Sequence, residues 1–172
     1  MANNRIKQIA RGDMEALKEL YEVYKIPVYR LAFSMIKNRD SAEDITQDTF
    51  LKIQEKAGNF YHNTSEAAWI FTITRNLTHD LMRKRKTEPL EDTKLQQIPS
   101  SEGNPENGDY VFLDLIASLS KNDAEVVSLR ILTGLSFKEI GKITHATAGA
   151  CGKRYARALD KLRTEMNVKR PY

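Results

Sequence analysis

The stretch 135–163, LSFKEIGKITHATAGACGKRYARALDKLR, decides the fold. Ser136 followed three residues later by Glu139 is a capping box, and it opens a short helix with Ile140 and Ile143 on its apolar side. Thr144, His145 and Ala146 then make a three-residue turn. Thr147 caps a long final helix that turns Cys151, Tyr155, Ala158, Leu159, Leu162 and Met166 inward. Lys153, Arg154, Arg157, Lys161 and Arg163 face outward. A short helix, a tight turn and a longer cation-bearing helix form the organisation of a helix-turn-helix DNA reader. A solvated basic face is the plainer reading of such cations. Their position behind a capped helix and turn, where Lys and Arg neutralise phosphates and read base edges, favours DNA contact.

Working back toward the N-terminus, Ser120 with Asp123 starts a helix carrying Val126, Val127, Ile131 and Leu132, and Gly134 is placed to end it in a left-handed conformation. A short apolar helix precedes it, from Tyr110 to Leu119. Upstream of that, Pro89, Pro99, Gly103, Pro105 and Gly108, mixed with Ser100, Ser101, Asn104 and Asn107, sustain neither helix nor strand. The segment 87–109 is read as a linker.

The first half is helical as well. Met14, Leu17, Leu20, Tyr21, Tyr24, Val28, Leu31, Ala32 and Met35 recur at three- and four-residue spacing, with Pro27 expected to kink or divide the helix. A second helix is expected to open at Asp40 with Glu43 completing its cap. Ala42, Ile45, Thr49, Phe50 and Ile53 form its inner face, and Glu43, Asp44, Gln47 and Asp48 cluster on the other side. After the polar stretch 58–65, a third helix carries Trp69, Ile70, Ile73, Leu77 and Leu81, with Arg75, Asn76, His79, Asp80 and Arg83 on or beside its opposite face. No strand is expected. The reading is an all-α chain of two small helical domains, 1–86 and 110–172, joined by a flexible acidic linker, the C-terminal domain being the helix-turn-helix.

The chain has 172 residues and a net charge of +4, which by itself says little about nucleic acid. Resolved along the chain, the charge is segregated: +7 over 126–172, −7 over 87–125, and a basic run ending the third helix. Arg83, Lys84, Arg85 and Lys86 fit either a helix C-terminus favoured by the macrodipole or a nucleic-acid contact. Arg75 and His79, with Phe60, Tyr61 and Trp69 upstream, supply the cations and rings that a single-stranded site needs, although Trp69 also fits a core position. The acidic face suits protein docking or plain solvation. The single cysteine, Cys151, excludes an intramolecular disulfide framework and a Cys-built zinc site, and at an inward position it reads as a small buried hydrophobe. No Gly-rich phosphate loop, nucleophile elbow or paired catalytic carboxylate is found, so enzymatic chemistry has no candidate residues and no cofactor is called for. No apolar run approaches the roughly 20 residues that cross a bilayer, and the chain reads as cytosolic.

Several stretches resemble the extracytoplasmic-function (ECF) sigma factors of bacterial RNA polymerase. RGDMEALKELYEVYKIPVYRLAFSMIKNRDSAEDITQDTFLKI is similar to the family's opening helices, with the acidic D-x-A-E-D-x-x-Q-[DE]-x-F signature. WIFTITRNLTHDLMRKRK resembles its W-[IL]-[FY]-x-I-[AT]-R-N-x-x-x-D-x-x-R-[RK] helix, and LSFKEIGKI with KRYARALDKLR resembles its C-terminal helix-turn-helix. The resemblance covers 10–86 and 110–166, in the family's order.

The resemblance implies a promoter-specificity subunit without catalysis of its own. Asp40, Glu43, Asp44, Gln47, Asp48 and Phe50 then belong to the helix that docks on core RNA polymerase. Asn59, Phe60, Tyr61, His62 and Asn63, with Arg75, Asn76, His79, Asp80, Arg83 and Lys84, belong to the element that captures a flipped base of the minus-ten sequence and holds the melted strand. Thr147, Lys153, Arg154 and Arg157 would read the minus-thirty-five element of promoter DNA, and the linker would thread through the polymerase. The implied partners include an anti-sigma factor, itself membrane-linked, while the chain enters no membrane and takes no small-molecule substrate. The reading helix departs from the family pattern: His145 stands at the turn glycine, Gly152 lies inside the helix, and Ala148 and Ala150 remove polar side chains from the reading face. The rival readings are a helix-turn-helix regulator that binds duplex operators without polymerase and, more distantly, an RNA-binding or ribosome-associated basic protein.

Overall fold

The computed structural model describes residues 2–61, 64–87 and 107–169. The expected contacts His62 and Asn63, and 88–106 of the expected linker, lie outside the described residues. Among the described residues all regular structure is helical, and no helix is long and apolar enough to cross a membrane.

The chain begins with α1 (Ala2–Ala10), a helix that residue spacing alone does not set apart from its neighbour in sequence. Ile6 and Ile9 of this helix are buried, and the turn after it is made by Gly12 at φ 89°. Asp13 caps α2 (Met14–Ile36), its Oδ1 accepting from the Glu15 and Ala16 amides at 3.0 and 3.1 Å. Pro27 does not divide α2. Leu20 before it and Val28, Leu31, Ala32 and Met35 after it share one buried side. At roughly 1.5–3 kcal/mol per large apolar side chain, that burial outweighs the ~3 kcal/mol cost of an interior proline.

Lys37 ends α2 in the left-handed region at φ 52°. Asn38, not Asp40, then caps α3 (Arg39–Lys56), its Oδ1 accepting from the Ser41 amide at 2.9 Å and the Ser41 hydroxyl at 2.7 Å. Asp40 lies in the first turn, where a carboxylate suits the helix dipole. A 3₁₀ turn (Ala57–Asn59) leads to the loop before α4 (Glu66–Thr87), whose start is held by Ser65 Oγ accepting from the Ala68 amide at 3.1 Å.

The buried stripe of α4 is Ala68, Ile70, Phe71, Thr74 and Thr78, displaced from the expected apolar face; Trp69, Ile73, Leu77 and Leu81 are half-buried. The threonines tolerate burial because each hydroxyl donates to the carbonyl four residues back, Thr74 to Ile70 at 3.1 Å and Thr78 to Thr74 at 2.8 Å.

The second half comprises α5 (Asn107–Ala117), α6 (Lys121–Thr133), α7 (Phe137–Thr144) and α8 (Ala148–Lys169). Helix α4 reaches Thr87 and α5 starts at Asn107, so helix occupies both margins of the expected linker. The expected caps form: Ser120 on α6, Gly134 at φ 68°, the Ser136/Glu139 capping box on α7, and His145 at φ 55°. Met166, expected to point inward, is exposed, while Cys151 is buried. Gly152 has only the Phe137 ring near its missing side chain, at 3.7 Å, which is ordinary contact. Gly152→Ala is therefore expected to raise the unfolding free energy by up to about 1 kcal/mol, read as a higher urea midpoint; a lower midpoint would contradict the open space there.

The two halves pack on each other. Ile116, Leu119, Ala124, Val127, Ala158 and Leu162 form a core belonging to the second half. Val126, Leu129, Leu135, Ile140 and Ile143 instead continue the core built by Leu20, Val28, Leu31, Ile53, Ile70 and Phe71 of the first half. Lys37 Nζ donates to the Ala117 and Leu119 carbonyls at 2.8 and 3.3 Å, joining the end of α2 to the end of α5.

Candidate nucleic-acid interface

Three surfaces collect the candidate residues. On α3, Ala42, Ile45, Thr49 and Ile53 are buried, which turns Asp40, Glu43, Asp44, Gln47 and Asp48 to solvent. Phe50 is different: it is only 7% exposed and meets Tyr21 edge-on, ring centroids 4.8 Å apart. It supports the acidic face from below. Beside that face runs a groove of about 340 Å³ between α2 and α3, lined by Tyr21, Lys25, Ile26 and Tyr29 on one side and Glu43, Thr46 and Gln47 on the other. Its wall carries two tyrosines and Ile26, with one cation, Lys25, and one carboxylate, Glu43.

The second surface is the loop before α4 together with α4 itself. Asn59 is exposed, and Tyr61 is 78% exposed, its ring free to stack. Phe60 and Trp69 pair edge-on at 5.3 Å and pack against the core, which settles Trp69 as a supporting residue. Arg5 donates to Glu66 at 2.9 Å, so α1 is tied to the base of this loop. Burial raises the Glu66 pKa against the pull of Arg5 and Tyr24, and burial with Glu66 nearby pushes the Tyr24 hydroxyl up to about 12.

Further along α4, Asn76, Asp80, Arg83 and Lys84 are exposed, Arg83 pairing with Asp80 at 2.9 Å. Arg85 bonds the Ser41 hydroxyl and so leans on α3. Arg75 is covered, and His79 is half-buried. Arg75 Nε donates to Glu125 of α6, and His79 Nε2 stands 3.7 Å from the same carboxylate, too far for a hydrogen bond. Burial and then the Arg75 charge lower the His79 pKa, against the attraction of Glu125.

The third surface is the helix-turn-helix. The Ser136 amide donates to Glu139 Oε2 at 2.8 Å while the Glu139 amide donates to Ser136 Oγ at 3.3 Å. These Ser136 contacts hold the Glu139 carboxyl below its usual pKa. The Ala146 amide donates to the Gly141 carbonyl at 2.9 Å, and Thr147 Oγ1 accepts from the Ala150 amide at 3.1 Å, so the front of α8 is fixed by α7 and by its own cap. Thr147 and Lys153 are exposed and Arg154 is half-exposed. Arg157 bonds Asp123 of α6 through Nη2 and Nε, at 2.5 and 3.3 Å. Burial opposes the Asp123 charge, but Arg157 and Ser120 outweigh it and hold its pKa below the ordinary value.

Sequence reasoning missed Glu125 and Asp123 as partners, because pairs 50 and 34 residues apart leave no local pattern. It also missed Arg5 and Glu66.

Fold and surfaces are those of an all-helical protein, among the described residues, with an exposed acidic face on α3, an exposed ring and cations along the loop before α4 and α4 itself, and a C-terminal helix-turn-helix. Comparison with known proteins gives the class a name. The family model for Sigma-70 region 2 matches residues 20–88, and that for Sigma-70, region 4 matches 111–162. ECF RNA polymerase sigma factor SigW of Bacillus subtilis is 30% identical over 182 aligned positions, spanning 96% of this chain and 97% of that protein. The structure of sigma factor RpoE in complex with the anti-sigma factor NepR, from Bartonella quintana, has a TM-score of 0.69 at 26% identity, covering 89% of this chain and 98% of that one. CnrH, solved in complex with the cytosolic domain of CnrY, shares the fold with a TM-score of 0.71 at 20% identity, covering 98% and 99% of the two chains. The chain belongs to the ECF subfamily of sigma-70 RNA polymerase sigma factors.

Proposed function

We propose a division of labour for this ECF sigma factor. Asp40, Glu43, Asp44, Gln47 and Asp48 on α3 dock core RNA polymerase, with the neighbouring groove receiving part of that partner and Phe50 holding α3 in place. Residues 59–63 capture an unstacked base of the minus-ten element, and Arg75, Asn76, His79, Asp80, Arg83 and Lys84 hold the melted strand. Stacking on Tyr61 and phosphate contacts then offset the few kcal/mol per base that strand opening costs. Thr147, Lys153, Arg154 and Arg157 on α8 meet the minus-thirty-five element, the first three at the front of the helix in the major groove and Arg157, 68% exposed, while it is paired with Asp123 of α6. The domains are assigned as 1–86 and 110–172, with 87–109 linking them along the polymerase.

The observation that carries this reading is the exposure of the α3 acidic face on the same chain as a helix-turn-helix. An operator binder needs no acidic docking helix, and the region 2 match over 20–88 separates this chain from such regulators. The chain is proposed to work in the cytoplasm, where core polymerase is found. Because RpoE of Bartonella quintana was solved with the anti-sigma factor NepR, an anti-sigma factor is proposed as a partner here too.

The test is in vitro transcription on a pool of promoter sequences with core polymerase. Discrete run-off transcripts that depend on the added chain are the expected result, and sequencing the selected templates then gives the promoter. A chain that fails to bind core polymerase would overturn the assignment of α3.

A further inference from the structure

Among its described residues the first half of the chain buries one charged side chain, Glu66, which is 2% exposed at the start of α4. Arg5 of α1 donates to its Oε1 at 2.9 Å, while its Oε2 has no hydrogen-bond partner among the described residues. Tyr24 of α2 stands close enough to Glu66 to feel its charge. Replacing a buried ion pair with apolar residues is often neutral or stabilising, so such a pair is poor evidence for stability and better suited to fixing one arrangement of the elements it joins.

The arrangement fixed here is that of α1 across the segment that carries Tyr61. On the N-terminal side of that ring, α1 packs on the 3₁₀ turn Ala57–Asn59, and Ile6 and Ile9 share a core with Ala57 and Phe60. On its C-terminal side, Arg5 holds Glu66. One helix therefore touches the chain both before and after Tyr61. In between, the Phe60 amide donates to the Ala57 carbonyl and the Thr64 amide to the Tyr61 carbonyl, each at 3.2 Å, and the Tyr61 side chain stays 78% exposed. We infer that Arg5 and Glu66 are positioning residues for strand capture: by tying α1 to the start of α4 they hold the exposed Tyr61 ring where an unstacked minus-ten base meets its face. The inference rests on the proposed stacking role of Tyr61. Glu66 is too buried to meet DNA itself, so the pair acts through that ring.

The test uses the full chain with core polymerase, at saturating concentration, on a promoter recovered from the pool, supplied either as a duplex or pre-melted by mismatches across the minus-ten element. The pre-melted template needs no unpairing, so it reports every other step of initiation. Arg5→Met keeps an unbranched stem and breaks the pair. It is expected to lower run-off from the duplex about five-fold, the low end of what one base–aromatic stack contributes, and to leave run-off from the pre-melted template unchanged. Arg5→Lys keeps a cation within reach of the carboxylate and is expected to stay near the wild type on both templates. Arg5→Met/Glu66→Met leaves no unpaired buried charge; it is expected to match the wild-type urea midpoint and still to give the low duplex signal. If Arg5→Met does not fold by circular dichroism, the double variant decides. Full run-off from the duplex with the pair broken, an equal loss on both templates, or a loss in Arg5→Lys as deep as in Arg5→Met overturns the positioning role. Tyr61→Ala reports separately: if it gives full run-off from the duplex, the stacking role of Tyr61 fails instead, whereas a loss in Tyr61→Ala without one in Arg5→Met keeps that role and removes Arg5 and Glu66 from it.

Discussion

Reversing two charges, in Asp44→Lys/Asp48→Lys, is expected to weaken binding to core RNA polymerase by about 100-fold and to lower run-off transcription in step, while binding of the full chain to duplex minus-thirty-five DNA does not fall. Exposed ion pairs contribute only about 0.2–1 kcal/mol, but pairs dehydrated at a protein interface reach ~1.5 kcal/mol or more. Two reversals replace two attractions with two repulsions, which gives ~3 kcal/mol at an interface. The chosen positions isolate docking from folding. Asp44 and Asp48 are exposed on the middle turns of α3, whereas Asp40 also favours the N-terminus of the helix and Phe50 supports its underside. Substitutions at such exposed positions change stability by about 0.5 kcal/mol or less. Core binding measured by native mass shift or pull-down, with the urea midpoint as control, separates the two effects. Equal loss of core binding and duplex binding would refute the assignment of docking to α3.

How much of this was legible in the sequence depended on whether the deciding interaction was local. The caps at Ser120, Ser136/Glu139 and Thr147 and the left-handed turns at Gly134 and His145 could be read directly, since each is settled within four residues. The start of α3 was misread by two residues because Asn38 and Asp40 are both good caps; capping at Asn38 fits the observed burial of Ala42, Ile45 and Ile53. Helix α1 offered only Ile6 and Ile9, and it is held by the distant Arg5–Glu66 bond. The stripe of α4 was misplaced because Thr74 and Thr78 look polar in sequence, yet they satisfy their hydroxyls on their own helix and bury. The site residues were picked out by type and spacing. Which of them have an ion-pair partner on another helix was not legible, because Glu125 and Asp123 reach Arg75 and Arg157 only once α6 is packed on α2 and α8.

The same glycine-to-alanine change is expected to have opposite signs eleven residues apart in the helix-turn-helix. A methyl group on Gly152 meets only two carbons of the Phe137 ring, at 3.7 and 3.9 Å. One on Gly141 would lie 2.5 Å from the Ala146 carbonyl oxygen and 3.4 Å from the Ala148 amide nitrogen. Both neighbours are backbone, and the Ala146 N–H donates to the Gly141 carbonyl at 2.9 Å, which holds the turn close against the end of α7. The turn must open and push the front of α8 off α7. Overpacking of this kind costs roughly 1–3 kcal/mol, against which the better helix propensity of alanine returns at most about 1 kcal/mol. Gly141→Val removes that return and adds bulk, so its loss is expected to be about 3 kcal/mol or more. Because Thr147, Lys153 and Arg154 all depend on the placement of α8, displacement of its front is expected to abolish duplex minus-thirty-five binding before the first half loses its hold on core polymerase. Urea unfolding of Gly141→Ala and Gly141→Val, with duplex and core binding measured on the same samples, checks each step. A Gly141→Val chain that kept full duplex affinity would mean that the close approach of α7 to α8 does not set the position of the reading helix.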